Sequence, residues 1–533
     1  MKRLNHFRPP AAASKAGFGG ALRRWAPTWA GVPWRRAAQS LCFALFLVLF
    51  FWVSWPYPAS FNHESLALRA AQPVELFLWL DPAAGLAATV AARHWQPALL
   101  GAAAVLFAAW LLPRCFCGYL CPLGTLIDLF DWAVSRRARQ PRPAPSARWA
   151  GIRFLLLALV LGAAFGGVML AGHLAAIPLL TRGLVFTAGN LQLGLLKNWS
   201  MLPDFTGAVL AGGALLAVVL LLGLRFPRFW CRYLCPTGAL LSLPGLLSPT
   251  RRAVDPDLCV KCGQCLEACP FDAINADFST RQHNCSQCQT CGGACPTEAI
   301  GFITGIDLAL TPSAGTAPLS RRAALAGLLG GGGLALAGRA VGAPPPPIRP
   351  PGSVPEEQFL DLCIRCEQCL KVCPGPVLQA AGFDHGWEAL WTPVAVFSHA
   401  GCHQDCHFCT QVCPTGAIEP LDMARKRKAK MGLAVIDPEL CLPWRGERDC
   451  QLCFDECEAA GYHALEMRRR KLPGGEIPEG TFSPEEIEAM TSILAPVVKA
   501  EACVGCGLCE YRCLAVNHRQ KKLLPATAIA VKT

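Results

Sequence analysis

Twenty-four of the 30 cysteines in this 533-residue chain form six sets of four. The first set reads Cys259-x2-Cys262-x2-Cys265-x3-Cys269 and is followed by Pro270. Three thiolates at this spacing hold one [4Fe–4S] cluster, and the fourth ligates a neighbouring cluster. The other sets are Cys285/Cys288/Cys291/Cys295, Cys363/Cys366/Cys369/Cys373, Cys402/Cys406/Cys409/Cys413, Cys441/Cys450/Cys453/Cys457 and Cys503/Cys506/Cys509/Cys513. Six such sets predict six [4Fe–4S] clusters and a chain that moves single electrons.

Zinc and disulfides explain this pattern less well. Zinc sites usually take two separated Cys-x2-Cys pairs rather than a triplet with a more distant fourth cysteine. Disulfides suit secreted proteins, whereas the first eight of these cysteines lie in a segment that the topology below places in the cytoplasm. The set that starts at Cys441 has an eight-residue first gap and no proline after Cys457. Its remainder keeps the regular spacing, so we interpret it as a cluster-binding set as well.

A second cysteine motif occurs twice. The segment FCGYLCPLGTLIDL at residues 116–129 matches WCRYLCPTGALLSL at residues 230–243. The shared core is Cys-x3-Cys-Pro, and its candidate catalytic thiols are Cys117, Cys121, Cys231 and Cys235. Two related halves would bring these thiols together near a pseudo-two-fold axis. Four interpretations stay open: a redox-active pair, a bound metal or cluster, part of a quinone pocket, or packing beside a helix-ending turn. Chemistry rather than packing usually decides where cysteine is kept, which favours function.

The composition is that of a membrane protein. Hydrophobic residues make up 53% of the chain and charged residues 16%, and the mean hydropathy is positive. Four apolar stretches, at residues 37–55, 97–113, 153–173 and 207–226, are long enough as helices to cross a hydrocarbon layer of about 30 Å. The net charge of +12 does not indicate nucleic-acid binding, because much of the excess lies beside these stretches. We therefore predict a membrane α-helical bundle joined to α+β, bacterial ferredoxin-like multi-cluster domains.

Arginines orient the four predicted spans. They concentrate before the first span, between the second and third, and after the fourth, whereas the other two loops carry few. The positive-inside rule then places the N-terminus and the segment after the fourth span in the cytoplasm of a bacterial inner-membrane protein. The predicted units are a cytoplasmic arm (1–36), a membrane domain (37–252) and a cytoplasmic two-cluster ferredoxin domain (253–303).

An internal export-type signal follows. Arg321 and Arg322 precede a Gly/Ala/Leu run, which reads as a Tat signal that stays in place as a fifth span. The alternative is a flexible linker. Residues 344–347 are prolines and would form a stiff spacer. The linker therefore covers residues 304–350, and residues 351–533 form a periplasmic four-cluster domain. Basic runs at 425–430 and 468–471 are either solvated surface or a docking site for an acidic redox partner.

The ligand-exchange rule also predicts how the first two motifs pair. Cys259, Cys262, Cys265 and Cys295 would hold one cluster, and Cys285, Cys288, Cys291 and Cys269 the other. A separate set of polar residues could serve quinol chemistry. Candidates for proton release are His63, Glu64, Glu75 and Asp81, and candidates for binding or deprotonating a quinol are His94 and His173.

These motifs resemble a known family. The four spans with two Cys-x3-Cys-Pro motifs and a two-cluster ferredoxin resemble NapH-type and MauN-type membrane ferredoxins, and the Tat-led half resembles NapG and MauM. The chain looks like these two partners fused. The resemblance implies a quinol dehydrogenase that passes electrons from membrane quinol to a periplasmic protein, such as a nitrate reductase system. A maturation factor for an exported redox enzyme and a metal-handling membrane ferredoxin remain alternatives. The direction of electron flow through the cytoplasmic clusters also stays open.

Overall fold

The computed structural model describes residues 33–53, 73–134, 149, 151–196, 199, 202, 204–304, 319–340, 345–471 and 491–533. Their α-helices are α1 Pro33–Trp52, α2 Leu76–Trp79, α3 Pro82–Ala92, α4 Ala98–Leu111, α5 Pro122–Val134, α6 Ile152–Phe165, α7 Ala171–Leu174, α8 Ala176–Leu184, α9 Asn190–Leu196, α10 Gly207–Arg225, α11 Pro236–Leu240, α12 Ser242–Gly245, α13 Gln264–Ala268, α14 Thr290–Ala294, α15 Arg321–Ala340, α16 Glu356–Leu362, α17 Gln368–Val372, α18 Phe408–Gln411, α19 Met423–Lys428, α20 Leu442–Arg445, α21 Leu452–Ala459 and α22 Leu508–Cys513. Single π-helical segments cover Phe116–Leu120, Val185–Gly189, Trp230–Leu234 and Leu514–Gln520.

The strands form antiparallel pairs within the cysteine-rich parts of the chain. They are β1 Thr250–Val254, β2 Ile300–Thr304, β3 Leu378–Ala380, β4 Pro393–Ala395, β5 Leu433–Ile436, β6 Leu465–Lys471, β7 Ser492–Val498 and β8 Ile529–Lys532. The pairs are β1 with β2, β3 with β4, β5 with β8, and β6 with β7. Thr250 lies opposite Thr304, so β1 and β2 close the two-cluster module, residues 250–304, into one unit. We call residues 33–249 the helical domain and residues 345–533 the C-terminal domain.

Two helices, Pro33–Trp52 and Gly207–Leu224, are long and apolar enough to cross a membrane, judged on length and composition among the described residues. The predicted spans at 97–113 and 153–173 correspond to the shorter apolar helices α4 and α6. α4 stops at Leu111 because Pro113 and a left-handed Arg114 follow it. α6 stops at Phe165 because Gly166 and Gly167 follow, and Gly167 has a φ of +78°. The structure therefore has helices at all four predicted places, two of them too short to meet that test.

The two cysteine-rich units contact opposite ends of the long helices. At the start of α1, the Arg35 guanidinium donates to Thr290 Oγ1 of the two-cluster module at 3.0 Å. At its end, the carbonyl of Phe50 accepts from Lys371 Nζ of the C-terminal domain. α10 runs the other way, and its first turn is held by a 2.8 Å hydrogen bond from Trp391 Nε1 to the Ala208 carbonyl. The contacts at Arg35 and Phe50 are 15 residues apart, which is about 22 Å along a helix, so the helical domain lies between the two units.

α15, the segment predicted as a Tat-type fifth span, packs lengthwise on α6. A Cβ added to Gly327 would lie 2.9 Å from Ala158 Cβ, and one added to Gly331 would collide with the Leu159 carbonyl. Small residues recur every fourth position, at Gly327, Gly331 and Ala335 on α15, and at Ala158 and Gly162 on α6 and at Gly166 directly after it. This small-xxx-small spacing allows close backbone approach. The two helices run parallel, from the end nearest the two-cluster module towards the C-terminal domain.

Candidate functional site

The two-cluster module brings its eight motif cysteines together as two four-thiol sites. Site 1 is a cavity lined by Cys259, Cys262, Cys265 and Cys295. Site 2 is a cavity lined by Cys269, Cys285, Cys288 and Cys291. Each cavity therefore takes three thiols from one motif and the last thiol from the other. This is the ligand exchange that a two-cluster ferredoxin uses.

The C-terminal domain repeats the exchange twice. In site 3, the thiols of Cys363, Cys366 and Cys369 each interact electrostatically with Cys413 of the next motif. In site 4, the thiols of Cys402, Cys406 and Cys409 group in the same way with Cys373. Cavities define the remaining two sites. Site 5 is lined by Cys457, Cys503, Cys506 and Cys509, and site 6 by Cys441, Cys450, Cys453 and Cys513.

The donors around these sites fit [4Fe–4S] clusters. The fourth, exchanged thiol accepts a backbone N–H bond in three sites, from Ala273 to Cys269 at 3.3 Å, from Ile418 to Cys413 at 3.4 Å and from Ala464 to Cys457 at 3.3 Å. Hydrogen bonds to the sulfurs tune the reduction potential of a bound cluster. In the described part of the chain, no group of three or more His, Cys, Asp or Glu side chains is arranged to hold a single metal ion. A bound cluster would supply reversible one-electron storage at each site.

The four sites of the C-terminal domain lie in the order 3, 4, 5, 6. Sites 3 and 4 share their two motifs. Sites 4 and 5 are joined by a 2.8 Å hydrogen bond from the Cys402 amide to the Cys506 carbonyl. Sites 5 and 6 are neighbours because the Cys509 thiol interacts electrostatically with Cys453. The order in space therefore differs from the order in sequence, in which the first ligands of site 6 precede those of site 5.

Buried arginines attach the two-cluster module to the helical domain. Arg153 Nη2 donates to the His283 carbonyl at 3.1 Å and to Asn284 Oδ1 at 2.6 Å. Arg114 Nη1 donates to the Asn284 carbonyl at 3.2 Å. Arg35 and Arg153, which helped to predict the topology, are each only 1% exposed. These two arginines therefore bind protein rather than a lipid surface, and they hold the loop that carries the site 2 thiols.

The two Cys-x3-Cys-Pro motifs have the same local structure. In each, the first cysteine lies in a π-helical turn and the second precedes the next helix in extended backbone, with φ and ψ of −65° and 114° at Cys121 and −69° and 114° at Cys235. A left-handed arginine precedes each turn, Arg114 with a φ of 50° and Arg228 with a φ of 53°. The thiol of Cys121 interacts electrostatically with Cys117, Cys231 and Cys235, so the structure gathers all four.

Site 3 faces the helical domain through a second group of buried charges. Arg182 stacks 3.9 Å from the Trp391 ring and donates to the Gly172 carbonyl at 2.9 Å and to the Arg365 carbonyl at 3.1 Å. Arg365 in turn donates to the Met169 carbonyl at 2.6 Å. Glu367 is buried beside these arginines, and its burial raises its pKa to about 8 although Arg182 and Arg365 favour the charged form. Site 3 is thus fixed rigidly against the helices.

The other polar candidates are placed differently from one another. Asp81, which lies between the first two predicted spans in the sequence, is fully buried and accepts from Ile177 N at 3.0 Å and Thr237 Oγ1 at 2.9 Å. His173 packs against Trp391, 5.5 Å between ring centroids. His94 is exposed and contacts Gln96, and Glu75 precedes α2. His63 and Glu64 lie outside the described residues.

The two basic runs of the C-terminal domain, at 425–430 and 468–471, differ in exposure. Lys426 is buried, and its ammonium group donates to the His403 carbonyl at 2.6 Å. The cations at 468–471 are exposed along β6. One member of the first run is therefore structural, and the second run is a charged surface.

Comparisons with known proteins agree with this geometry. A 4Fe-4S binding domain model matches residues 95–141 and again residues 208–253, which are the two halves of the internal repeat, and a second 4Fe-4S binding domain model matches residues 252–275. The methylamine utilization ferredoxin-type protein MauM of Paracoccus denitrificans is 32% identical over 33% of this chain and 71% of its own length. The ferredoxin-type protein NapG of Escherichia coli is 35% identical over 33% of this chain and 70% of its own length.

A third relative covers more of this chain. The putative electron transport protein YccM of Escherichia coli is 29% identical over 44% of this chain and 65% of its own length. No solved structure matches. The fold and the four-thiol sites define an iron–sulfur electron-transfer protein of the ferredoxin type. The chain belongs to the NapG/MauM family of ferredoxin-type proteins, as its sequence motifs predict.

Proposed function

We propose that this protein is a quinol dehydrogenase of the bacterial inner membrane that binds six [4Fe–4S] clusters and passes electrons from quinol to a periplasmic redox protein. The observation that carries the proposal is a cavity between the helical domain and site 3. About 400 Å³ of space free of protein atoms, part of it open to solvent, lies between its walls. Its walls come from the π-helical turn Val185–Gly189, from α9 and α10, and from the segment that follows Cys369.

The cavity has the chemistry of a quinol pocket. Its exposed lining is mostly apolar, with Val185, Phe186 and Leu370 in its wall. Its polar groups come from Asn190, Asp204, Lys371 and Gln379. A ligand pocket of this kind uses few polar groups to orient a largely apolar molecule. π-helical turns inside α-helices occur frequently at functional sites. A quinol headgroup here would lie beside the residues next to Cys369, a ligand of site 3.

The residues around the cavity also provide for the protons. Quinol oxidation releases two electrons and two protons. Gln379 Nε2 donates to Asp204 Oδ2 at 3.4 Å, and His399 Nε2 lies 3.0 Å from Asp204 Oδ1. Asp204 is exposed, so the Asp204–His399 pair offers an exit for protons on the side of the C-terminal domain. Clusters held by the thiols of sites 3, 4, 5 and 6 would supply one-electron carriers in that order.

The membrane placement is part of the proposal. α1 and α10 would cross the bilayer with the shorter apolar helices between them, and α15 would cross as a fifth, Tat-derived helix. The two-cluster module then lies in the cytoplasm and the C-terminal domain in the periplasm. The contacts of the two units with opposite ends of α1 support this orientation, as does the parallel packing of α15 on α6.

Site 6 is the proposed exit to the acceptor. Its lining residue Cys441 begins α20, and its lining residue Pro496 lies on β7, which pairs with the exposed basic strand β6. Arg519, Lys521 and Lys522 add exposed cations just after Asn517, another lining residue. A positive surface beside the last cluster favours encounter with an acidic electron acceptor. The family resemblance makes a nitrate-reductase-like system the first acceptor to try.

The experiment fills the cavity. Gly189→Leu places an apolar side chain towards Lys371, whose Cε lies 3.7 Å from the added Cβ. We expect cluster reduction by a menaquinol analogue to slow by about tenfold or more, because a few methylenes already cost a pocket this much, while reduction by dithionite is unchanged. Gly330→Leu, at a helix position with open space around it, is the matched control. If the two variants are reduced by the quinol analogue at equal rates, quinol does not bind in this cavity.

A further inference from the structure

The four cysteines of the Cys-x3-Cys-Pro motifs occupy a site that the six cluster sites leave unexplained. All four are buried, with exposed fractions of 4–8%. Each repeat supplies two motif thiols, which is half of what a four-thiolate cluster needs. The 4Fe-4S binding domain model matches each repeat separately, yet neither repeat alone has four motif thiols.

The two repeats interlock around these thiols. Arg228 of the second repeat donates to the Cys117 carbonyl of the first at 3.0 Å. Arg114 of the first repeat donates to the Cys231 carbonyl of the second at 3.2 Å. Arg114 and Arg228 occupy equivalent positions in the two repeats, and each bonds the carbonyl of the first motif cysteine in the other repeat. A pseudo-two-fold axis requires this exchange. Both guanidinium groups also lie over the Phe271 ring, at 5.0 Å for Arg114 and 4.6 Å for Arg228.

The charge around the thiols is unbalanced. Arg114 and Arg153 are 0% and 1% exposed, and neither has a carboxylate partner among the described residues. The Nε atoms of both are buried without a hydrogen bond, and Arg153 interacts electrostatically with the thiols of Cys117 and Cys235. Burying a guanidinium without a counter-charge is strongly unfavourable. Four neutral thiols would supply no negative charge, whereas four thiolates around iron would.

The donors are also arranged for thiolates. Cys235 Sγ accepts from the Gly238 amide at 3.3 Å, at the start of α11. Cys121 holds the same position before α5, and its sulfur is bonded by the amide of Gly124. A backbone N–H donor stabilises a sulfur that carries negative charge, as a cluster ligand does. These contacts match the N–H bonds that the exchanged cysteines accept in sites 2, 3 and 5.

The position suits an electron relay. Gly118, next to Cys117, lies against Ser286 of the site 2 motif, 3.4 Å from its carbonyl oxygen to an added Cβ. Asp81 interacts with Cys235 and is the N-cap of α3, whose 11 residues pack against α16 of the C-terminal domain. A helix of that length spans about 16 Å. The thiols therefore lie beside site 2 and part of the way to site 3.

We propose that Cys117, Cys121, Cys231 and Cys235 together bind a seventh iron–sulfur cluster that the two repeats share. It would exchange one electron at a time with site 2, so that one cluster is oxidised as the other is reduced and no bond is made or broken. Such a cluster links the two-cluster module to the electron path of the C-terminal domain. The inference does not depend on quinol, since it concerns only the thiols and the arginines around them.

The test is the iron content of the full chain after anaerobic reconstitution. Cys121→Ser with Cys235→Ser should contain about two irons fewer than the wild type for a [2Fe–2S] cluster, or about four fewer for a [4Fe–4S] cluster. One Mössbauer component should disappear and the others should be unchanged. The matched control is Cys115→Ser, which alters an adjacent thiol outside the Cys-x3-Cys core and should keep the full iron content. Equal iron in the double variant and the control would overturn the proposal.

The wild type supplies an independent measurement in case the double variant does not fold. Six [4Fe–4S] clusters contain about 24 irons, and a seventh cluster raises this to about 26 or 28. Removing one ligand of site 3, by Cys363→Ser, calibrates the iron loss for a single cluster. A wild-type content of about 24 irons, or copper or zinc bound in place of the extra iron, would contradict the proposal of a shared cluster. Neither result would bear on the proposed quinol oxidation.

Discussion

Asp128 is the central anion of the interface between the helical domain and the two-cluster module. Its carboxylate accepts from Arg228 Nε at 2.6 Å, from Arg35 Nη2 at 3.1 Å and from Arg36 Nη1 at 2.7 Å. Arg35 and Arg228 are 1% and 0% exposed. Asp128→Asn keeps the shape of the side chain and removes its charge, so that these buried guanidinium groups lose their common counter-charge.

Removing one partner of a buried ion pair costs about 3–5 kcal/mol. Because Asn can still accept a hydrogen bond, we expect the lower end of this range, about 3 kcal/mol. One factor of ten corresponds to about 1.4 kcal/mol, so the interface should open about 100-fold more often. Limited proteolysis reports this equilibrium when opening and closing are faster than cleavage.

The assay follows cleavage between α12 and β1, at residues 246–249, in detergent-solubilised protein that contains its clusters. Glu267→Gln removes the same charge from an exposed position of the two-cluster module and is the matched control. Its cleavage rate should stay at the wild-type value. If Asp128→Asn is cleaved no faster than Glu267→Gln, the buried charges do not hold the module in place and this reasoning fails.

Two further predictions follow from the sites and from the helix packing. If Cys413 belongs to site 3, the double variant Cys413→Ser/Cys363→Ser should contain as much iron as Cys413→Ser alone. The double variant Cys413→Ser/Cys402→Ser should lose a second cluster, which is about four more irons. The opposite pattern would show that each motif keeps its own four thiols. Gly331→Leu should prevent α15 from packing on α6 and reduce the folded fraction in size-exclusion chromatography, whereas Gly330→Leu should elute as the wild type does. Equal elution of these two variants would contradict the packing argument.

The ligand sets were the part of the site that the sequence could specify. Cluster cysteines have a fixed local spacing, and from it the sequence predicts the exchange of the fourth thiol in the two-cluster module. The structure groups the thiols of the C-terminal domain in the same way, including the irregular set at Cys441. The order of sites 5 and 6 could not be predicted, because it depends on contacts between segments far apart in the chain, such as Cys402 with Cys506.

The buried charges were harder to predict than the thiols. Arg35 and Arg153 look like topology determinants in the sequence because arginines beside apolar stretches usually face water. In the structure they bind carbonyl and side-chain oxygens of the two-cluster module. One signal was available, since a Pro-Arg pair precedes each Cys-x3-Cys-Pro motif, at Arg114 and Arg228. Its repetition in both halves indicates a role shared with the cysteines.

The Gly/Ala run of α15 has two features that can be interpreted separately. Twin arginines before a weakly apolar run indicate an export signal, and that interpretation stays a prediction. The same glycines recur every fourth residue and meet small residues of α6, which is a packing pattern. Asp81 is buried, although in the sequence it lies between two predicted spans. Nothing local in the sequence indicates that an aspartate before Pro82 is buried by hydrogen bonds from α8 and α11.

The most direct test of the account is anaerobic mixing of the purified protein with a menaquinol analogue, followed by rapid freezing and EPR of the reduced clusters. We predict that the clusters of the C-terminal domain are reduced on mixing, and that the Gly189→Leu variant delays this step but keeps its response to dithionite. Clusters that respond to dithionite and never to quinol would contradict it. That result would favour a maturation role in which a cytoplasmic donor supplies the electrons.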